Sequence, residues 1–449
     1  VHEALERIRE ATRGTPFEHD LFLVGGAVRD ELLGQPPDAD FDLVTTGSSA
    51  DLAYLLREAG IAEHDPVTYP RFGTAMIQVL GTSVEIVTAR RESYDSASRK
   101  PSTEPATLVE DALRRDFTIN TLMRALATQD LVDPLGTGLQ DLRAGILRTP
   151  RDPMETFQDD PLRMLRAVRF CRKLGFEPFD GLYPAIREAA PRLAIVSHER
   201  IRDEVLKMLL LPDADKALGD LMDLGLWDVA VPEFRAMVGC EQGSFHHLDV
   251  WEHSLLVVRN AGPGDVTLSL AALLHDVGKP ATRFVDERGA TRFFGHETVG
   301  ADLARSILRR WNLANREVDD VVSLVKNHMR LGSAPTFSPA AARRLVADLG
   351  PLVPKLLALV EADAASLRPG VRTLDLEPIR AQIRSVSRLT PRETLKSPLN
   401  GEEIMSAMGW SSGPRVGQAM RKLQEMVIEG TLDPDDSEGA LQALRRMEA

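Results

Sequence analysis

Cysteine is almost absent: Cys171 and Cys240 are the only two in 449 residues. Neither has a second cysteine at ligand or redox spacing, which excludes a disulfide framework and a zinc knuckle and leaves two buried thiols as the expectation. Aromatic residues make up 5% of the chain, too few to foresee a stacking platform for single-stranded nucleic acid. No run approaches the ~18 consecutive apolar residues of a membrane helix. The stretch Val1 to Arg13 is charged and amphipathic, unlike a signal peptide, so a soluble, cytoplasmic protein that meets no membrane is expected. Self-similarity at a period of roughly 20 to 50 residues is missing too, which argues against a solenoid. Basic charge is in deficit, with 54 Lys and Arg against 67 Asp and Glu for a net charge of −13. A protein that grips nucleic acid over its whole surface is therefore disfavoured. A local exception runs from Arg163 to Lys173, where five basic residues occur without an acidic one.

What is present is an ordinary globular balance, 43% hydrophobic and 27% charged, over a length that predicts three or four domains. From about residue 20 to 145, short β-branched runs (LFLVGG, FDLVTTG, AMIQVL, VEIVTA) alternate with helical patterns such as Ser49 to Ala59, as in an α+β unit. From Asp160 onward the periodicity is helical, punctuated by Gly and Pro. Two polar, Pro-containing stretches read as mobile, Ser93 to Thr107 and Leu367 to Thr373, and the second is a candidate boundary.

Three patterns in the first part carry chemistry. LFLVGGAVRD reads as a strand, a Gly25–Gly26 turn and a helix opening toward Arg29; backbone amides at such a turn can approach a phosphate, although the same dipeptide also serves as plain punctuation. In DADFDLVTTG, Asp40 and Asp42 flank Phe41 on an expected strand. Period two sends both carboxylates to one face, where two hard oxygen ligands suit Mg²⁺ beside a nucleoside triphosphate. Glu85 on a further strand either adds a third carboxylate or is an exposed edge residue. In LRRDFTINTLM, Arg115 is placed to meet a triphosphate and Asp116 or Asn120 a ribose, or else the segment is a charged helix start.

The helical half concentrates histidine: His246, His247, His253, His275, His296 and His328 are six of the ten. His275 stands next to Asp276 in HDVGKPAT. Imidazole and carboxylate donors together suit a transition metal.

GGAVRD, DFD, RRDFTIN, DPLGTGLQDL (133 to 142), DDPLRMLRAVRF (159 to 170) and SHERIRDEVLKMLL (197 to 210) follow one another in the order found in the bacterial class II tRNA nucleotidyltransferase and poly(A) polymerase family, which the first 210 residues resemble. The resemblance implies an α+β fold: a DNA polymerase β-like head (1–150), an all-α neck with the nucleobase-reading segment (151–212), an HD-type helical body (213–375) and a helical, tRNA-binding tail (376–449). It makes Gly26, Arg29 and Arg115 nucleotide contacts and Asp40 and Asp42 the catalytic Mg²⁺ ligands. Asp159 stands where the family has Glu. Asp160 and Arg163, taken as three apart on one helix and so on one face, become the pair that selects the base. A carboxylate accepts from the exocyclic amine that cytosine and adenine share, and a guanidinium donates to the neighbouring ring atom; uracil and guanine oppose acceptor to acceptor. Arg166 and Arg169 face the incoming nucleotide or the RNA end, or form a solvated stripe.

The body resembles the HD superfamily of metal-dependent phosphohydrolases through His253, His275, Asp276 and Asp363, with His296 and His328 at the extra positions of dinuclear members. That resemblance implies Mn²⁺, Ni²⁺, Co²⁺ or Fe²⁺ and hydrolysis of a phosphoester such as an RNA 2′,3′-cyclic phosphate, or alternatively a degenerate scaffold. The segment 399–430 resembles the tail of transferases that carry an HD module, with Gly413 and Pro414 opening a helix.

The implied activity is template-independent addition of C and A to the tRNA 3′ end from CTP and ATP, releasing pyrophosphate. The segment Ala89 to Leu113, with Arg90, Arg91, Arg99 and Lys100, is about as long as in complete CCA-adding members, against CC-only addition. A-only addition and poly(A) polymerase stay open, low aromatic content favouring structured tRNA. An HD phosphohydrolase with a vestigial head, or a non-catalytic RNA-binding protein, is opposed by the intact head motifs. Oligomeric state is not legible.

Overall fold

The β-branched runs of the first part form the strands they predict. In the computed structural model, which describes residues 2–36, 40–95, 98–243, 246–331, 337–371 and 373–448, a seven-stranded sheet has the order β3-β4-β5-β2-β1-β8-β9. The strands are β1 (Phe22–Val24), β2 (Phe41–Thr45), β3 (Val67–Tyr69), β4 (Thr74–Val79), β5 (Thr82–Thr88), β8 (Met123–Ala125) and β9 (Leu131–Val132). β2 and β5 pair in parallel and their neighbours pair antiparallel. A separate hairpin, β6 (Arg90–Asp95) and β7 (Ser98–Pro105), occupies the stretch that sequence reads as a mobile loop; residues 96 and 97 lie outside the described residues. Strand pairing satisfies backbone groups there that a loop would leave to water.

Alternation decides the two faces of the sheet. Phe41, Leu43, Val84 and Ile86 are buried on one, with helix α1 (His2–Thr12) and helix α3 (Ser49–Glu58) contributing Ile8, Leu52 and Leu56 to the core. On the other, Val24, Val44, Ala89 and Met123 form a cluster with Phe22, Leu108 and Val132. Between β1 and β2 lies helix α2 (Gly26–Leu32), and helix α4 (Leu108–Leu113) starts on a reciprocal cap between Thr107 and Glu110, a pairing that satisfies two otherwise orphaned donors.

After β9 the chain is helical except for short two-stranded pairings at Ile146–Leu147 with Glu177–Pro178 and at Arg283–Val285 with Thr291–Phe293. It forms two compact units, 1–232 and 233–449. No helix among the described residues is long and apolar enough to cross a membrane. Cys171 and Cys240 are both free and buried, and burial pushes the Cys171 thiol up to about 12.

Candidate nucleotidyl-transfer and metal sites

The first candidate site is built where β1 ends and β2 begins. Val24 pairs with Asp42 in the antiparallel register, so the turn that leaves β1 rises beside that carboxylate. Gly25 takes φ +73, and a Cβ there would stand 3.7 Å from the Asp42 carboxylate and 3.9 Å from the Arg115 guanidinium. Only glycine adopts this conformation freely and leaves the backbone bare toward a ligand. Gly26 opens α2.

Asp42 faces Glu85 directly across the parallel pair β2–β5, and Asp40 immediately precedes β2. Asp42 is the exposed member of β2, yet partial desolvation by the surrounding protein, with the Asp40 charge, raises its carboxyl while Arg115 opposes the rise. Burial and Asp42 raise Glu85, opposed by Arg90 and Arg114. Crowded carboxylates that resist ionising together are a donor set that a cation relieves, so these residues fit a divalent ion.

Around them the arginines are held by carboxylates and carbonyls. Asp111, fully buried, accepts from both Arg114 and Arg115; burial opposes its charge, but the two guanidiniums hold it below the usual range. Arg29 is buried, donating to Asp30 and to Asn120, each at 2.7 Å, with its guanidinium 4.9 Å from the centre of the Phe170 ring. Asn120 donates to Asp116 at 3.0 Å, and Asp116 accepts two bonds from Arg166 at 2.6 and 2.8 Å. Burial works against the Asp116 charge, yet Arg166 and Asn120 hold that carboxyl at about 2. Arg169 is buried against Glu204, donating at 2.6 Å. Arg29, Asn120, Asp116 and Arg166 are thus one network, in which Asp116 and Asn120 act on the arginines. Asp116 and Asn120, 8% and 6% exposed, face these protein partners.

One expectation is corrected. Asp160 and Arg163 do not share a helix: Asp160 caps the end of the helix Pro153–Asp159 with φ −140, and Arg163 lies in the next, Leu162–Leu174. Pro161 is the reason, since the residue before proline is pushed out of the α region. Asp160 instead accepts from the Leu162 amide and pairs with Arg200 at 2.9 Å. Arg163 is buried, its guanidinium donating to the backbone carbonyls of Thr156 and Arg114. Arg200 and Glu204, four apart on the helix His198–Leu209, were missed as partners, and the SHERIRDE block was the signal for them.

The second candidate site lies in the unit 233–449. His253 comes from the helix Val250–Ala261, His275 and Asp276 follow Val266–Leu274, His296 opens His296–Arg310, His328 ends Asn315–Asn327, and Asp363 lies in Val353–Ala365. Among the described residues, His253, His275 and Asp363 form one group with ligand atoms within 4.8 Å of one another, and Asp276, His296 and His328 form a second. Among the described residues, Asp40, Asp42 and Glu85 form no such group. Asp276 stands between the two: its Oδ2 lies 3.0 Å from His275 and 3.7 Å from His253, its Oδ1 3.4 Å from His296 and 3.7 Å from His328. The Nδ1 atoms of His275, His296 and His328 each bond to a carbonyl three residues back, which orients the ring and aims Nε2 inward, as metal-binding histidines require. His275 Nε2 is buried with no hydrogen-bond donor or acceptor of good geometry, while the Asp276 Oδ2 it faces is ion-paired with the Lys279 ammonium at 2.6 Å. An orphaned ring nitrogen aimed at a shared carboxylate suits a metal ligand. Burial pushes His328 down to about 4, keeping it in the neutral form that ligates metal. Gly278 permits the assembly, because a Cβ there would stand 2.3 Å from the His296 carbonyl and 2.5 Å from the Gly300 amide. His247 lies apart from both groups, and the ring of His246 packs edge-on against His253 at 4.7 Å between centroids. Gly413 and Pro414 open the helix Pro414–Glu429.

Comparison with known proteins agrees with this division. Residues 21–148 match the poly(A) polymerase head domain, 175–237 the probable RNA and SrmB-binding site of polymerase A, and 245–367 the HD domain. The chain is 36% identical over 428 residues to the A-adding tRNA nucleotidyltransferase of Deinococcus radiodurans, covering 91% of this chain and 92% of that one. It is 34% identical over 427 residues to the CC-adding tRNA nucleotidyltransferase of Thermus thermophilus, covering 92% and 90%. The crystal structure of the Bacillus stearothermophilus CCA-adding enzyme in complex with CTP matches with a TM-score of 0.70 at 25% identity, over 100% of this chain and 98% of that one. A polymerase-type head with its carboxylates in register, followed by an HD domain and aligned along nearly the whole length of such relatives, places this chain in the tRNA nucleotidyltransferase and poly(A) polymerase family as a nucleotidyltransferase.

Proposed function

We propose that the protein extends tRNA 3′ ends with C and A from CTP and ATP, completing the CCA terminus. The observation that carries this reading is the meeting of the Gly25 turn, Asp42, Glu85 and Arg115 at one end of the sheet. Amides of the Gly25–Gly26 turn and the Arg115 guanidinium hold the triphosphate, with the start of α2 adding favourable potential. Asp40 and Asp42, with Glu85 beside them, hold a divalent ion that when bound supplies Lewis-acid polarisation of the RNA 3′ hydroxyl and the α-phosphate. The hydroxyl oxygen bonds to the α-phosphorus and gives up its proton to water, the bond from that phosphorus to the oxygen bridging the β-phosphate breaks, and pyrophosphate leaves with its charge on the Arg115 side.

Base choice rests on Asp160 and Arg163. Arg200 fixes the Asp160 carboxylate, which accepts from the amine of cytosine or adenine. Two carbonyls occupy part of the Arg163 guanidinium, and its five N–H donors leave others for the base. Arg29 and Arg166 shape this pocket through Asn120 and Asp116.

A second reading, addition of A alone, is favoured by the 36% identity to an A-adding relative. Transcripts ending before CCA, after C and after CC, incubated with Mg²⁺ and each NTP, separate the readings on a sequencing gel. Uniform CCA ends support complete addition, a single A added only to the CC end supports the second reading, a stop at CC contradicts both, and no extension refutes transfer. We also propose that the His–Asp cluster holds two divalent transition metals for phosphoester hydrolysis at RNA ends, a reading supported by its two three-residue ligand groups and the orphaned His275 Nε2. Opening of a 2′,3′-cyclic phosphate end to a phosphomonoester, lost in Asp276→Ala, tests it.

A further inference from the structure

Asp42 and Glu85 are two members of a longer row. Cross-strand partners project to the same face, and the register continues Asp42–Glu85–Met76–Val67 through β2, β5, β4 and β3. Tyr69, two residues beyond Val67, shares that face. The row grows more apolar and more exposed toward the sheet edge: Met76 is 38% exposed, Val67 53% and Tyr69 45%. Phe72, 43% exposed, follows in the turn Pro70–Phe72, with the Arg71 guanidinium 6.0 Å from its ring centre. Arg90, at the root of the β6–β7 hairpin, donates to the Phe72 carbonyl and ties this turn down. The sequence, poor in aromatics, forecasts no stacking platform, yet Tyr69 and Met76 stand exposed on the sheet face that carries Glu85.

We infer that this shelf, Met76, Val67, Tyr69 and Phe72, receives the last nucleotides of the RNA whose 3′ hydroxyl is extended. The inference rests on the transferase reading above. In-line displacement puts the attacking and leaving oxygens on opposite sides of the α-phosphorus. The Gly25 turn and Arg115 lie on the β1 side of Asp42 and take the leaving pyrophosphate, so the RNA arrives from the opposite side, across β5, β4 and β3. At about 4.8 Å per strand, the shelf begins about 10 Å from Asp42 and reaches about 14 Å at Val67. Stacked nucleotides rise about 3.4 Å each, so a shelf about 10 to 14 Å away matches the third and fourth nucleotides before the reacting end. Apolar and aromatic side chains accept any base face, which suits an end whose identity changes as it grows. Arg71 adds positive charge for the phosphates.

The test uses the full chain and a tRNA ending in CC with 2-aminopurine as the third base before its terminal C. Wild type is expected to quench the fluorophore. In Tyr69→Ala/Met76→Ala the quench disappears and the KM for tRNA rises about tenfold or more, while the KM for ATP is unchanged; Tyr69→Phe keeps both near wild type. Both positions are exposed, and thermal melting verifies folding. A wild type that extends tRNA beside a double variant with unaltered quench and KM overturns this inference alone. A wild type that extends no tRNA removes the transferase reading and the inference with it. If wild type sediments as a dimer that the double variant dissociates at constant tRNA KM, the face joins two copies of the chain and the inference is wrong.

Discussion

Asp42 and Glu85 stand opposite one another on adjacent parallel strands; desolvation raises both carboxyls, with the Asp40 charge adding at Asp42 and the Asp42 charge adding at Glu85. Two acids held side by side weaken the empty head and prepare it for a cation. Asp42→Asn is expected to cut nucleotide addition by on the order of a thousandfold, the scale of several kcal/mol of lost transition-state stabilisation. Its melting temperature in EDTA should equal or exceed that of wild type. A fall in EDTA melting temperature with addition intact would contradict this.

Glu85→Gln separates support from ligation. The amide keeps the shape and removes one negative charge, so a higher Mg²⁺ concentration for half-maximal addition is expected, by roughly tenfold for a difference of about 1.4 kcal/mol. Magnesium titrations of both proteins at saturating ATP measure it.

The Asp116–Arg166 pair, with Asn120 bonded to the same carboxylate, predicts a pH dependence of stability. The carboxyl titrates at about 2 in the folded chain against about 3.9 unfolded. Because the folded pKa is depressed, the contribution, about 2 kcal/mol, is complete above roughly pH 4 and disappears as pH falls toward 2. Urea unfolding of wild type and Asp116→Asn should therefore differ most near neutrality and converge in acid. A gap that persists at pH 2 would place the effect in packing.

Arg200 is 40 residues from Asp160 and holds its carboxylate. Arg200→Ala should leave CTP and ATP usable while relaxing rejection of UTP and GTP, and Asp160→Ala should abolish it. The expected loss of discrimination is about tenfold to a few hundredfold, as for about 1 to 3 kcal/mol of unpaired buried polarity. Single-nucleotide kcat/KM values for all four NTPs read this directly.

At the histidine cluster, His253→Ala removes a ligand from one three-residue group and His296→Ala from the other. Each should lower bound transition metal from two equivalents toward one, measured by elemental analysis after dialysis. Addition to tRNA by the head should continue unchanged in both.

Much of this was legible because its causes are local. The Gly25–Gly26 turn, the Asp40–Phe41–Asp42 alternation and the His275–Asp276 step each depend on neighbours a few residues away, and the order of such blocks identifies the family. Glu85 remained ambiguous in sequence, since a carboxylate on a strand reads alike at an edge and at a site until the neighbouring strand is known. The Asp160–Arg163 pair was misplaced onto one helix although the local cause, Pro161, was in view.

By itself, then, the sequence determined the α+β head, the helical remainder and the residue types at both centres, because backbone periodicity and turn chemistry act over short separations. Only the tertiary structure decided that Asp42 meets Glu85 across 43 positions of sequence, that Asp116 holds Arg166, and that Asp276 links two histidine groups. Those relationships follow from strand order and helix packing, which bring together carboxylates and cations that must be paired once buried.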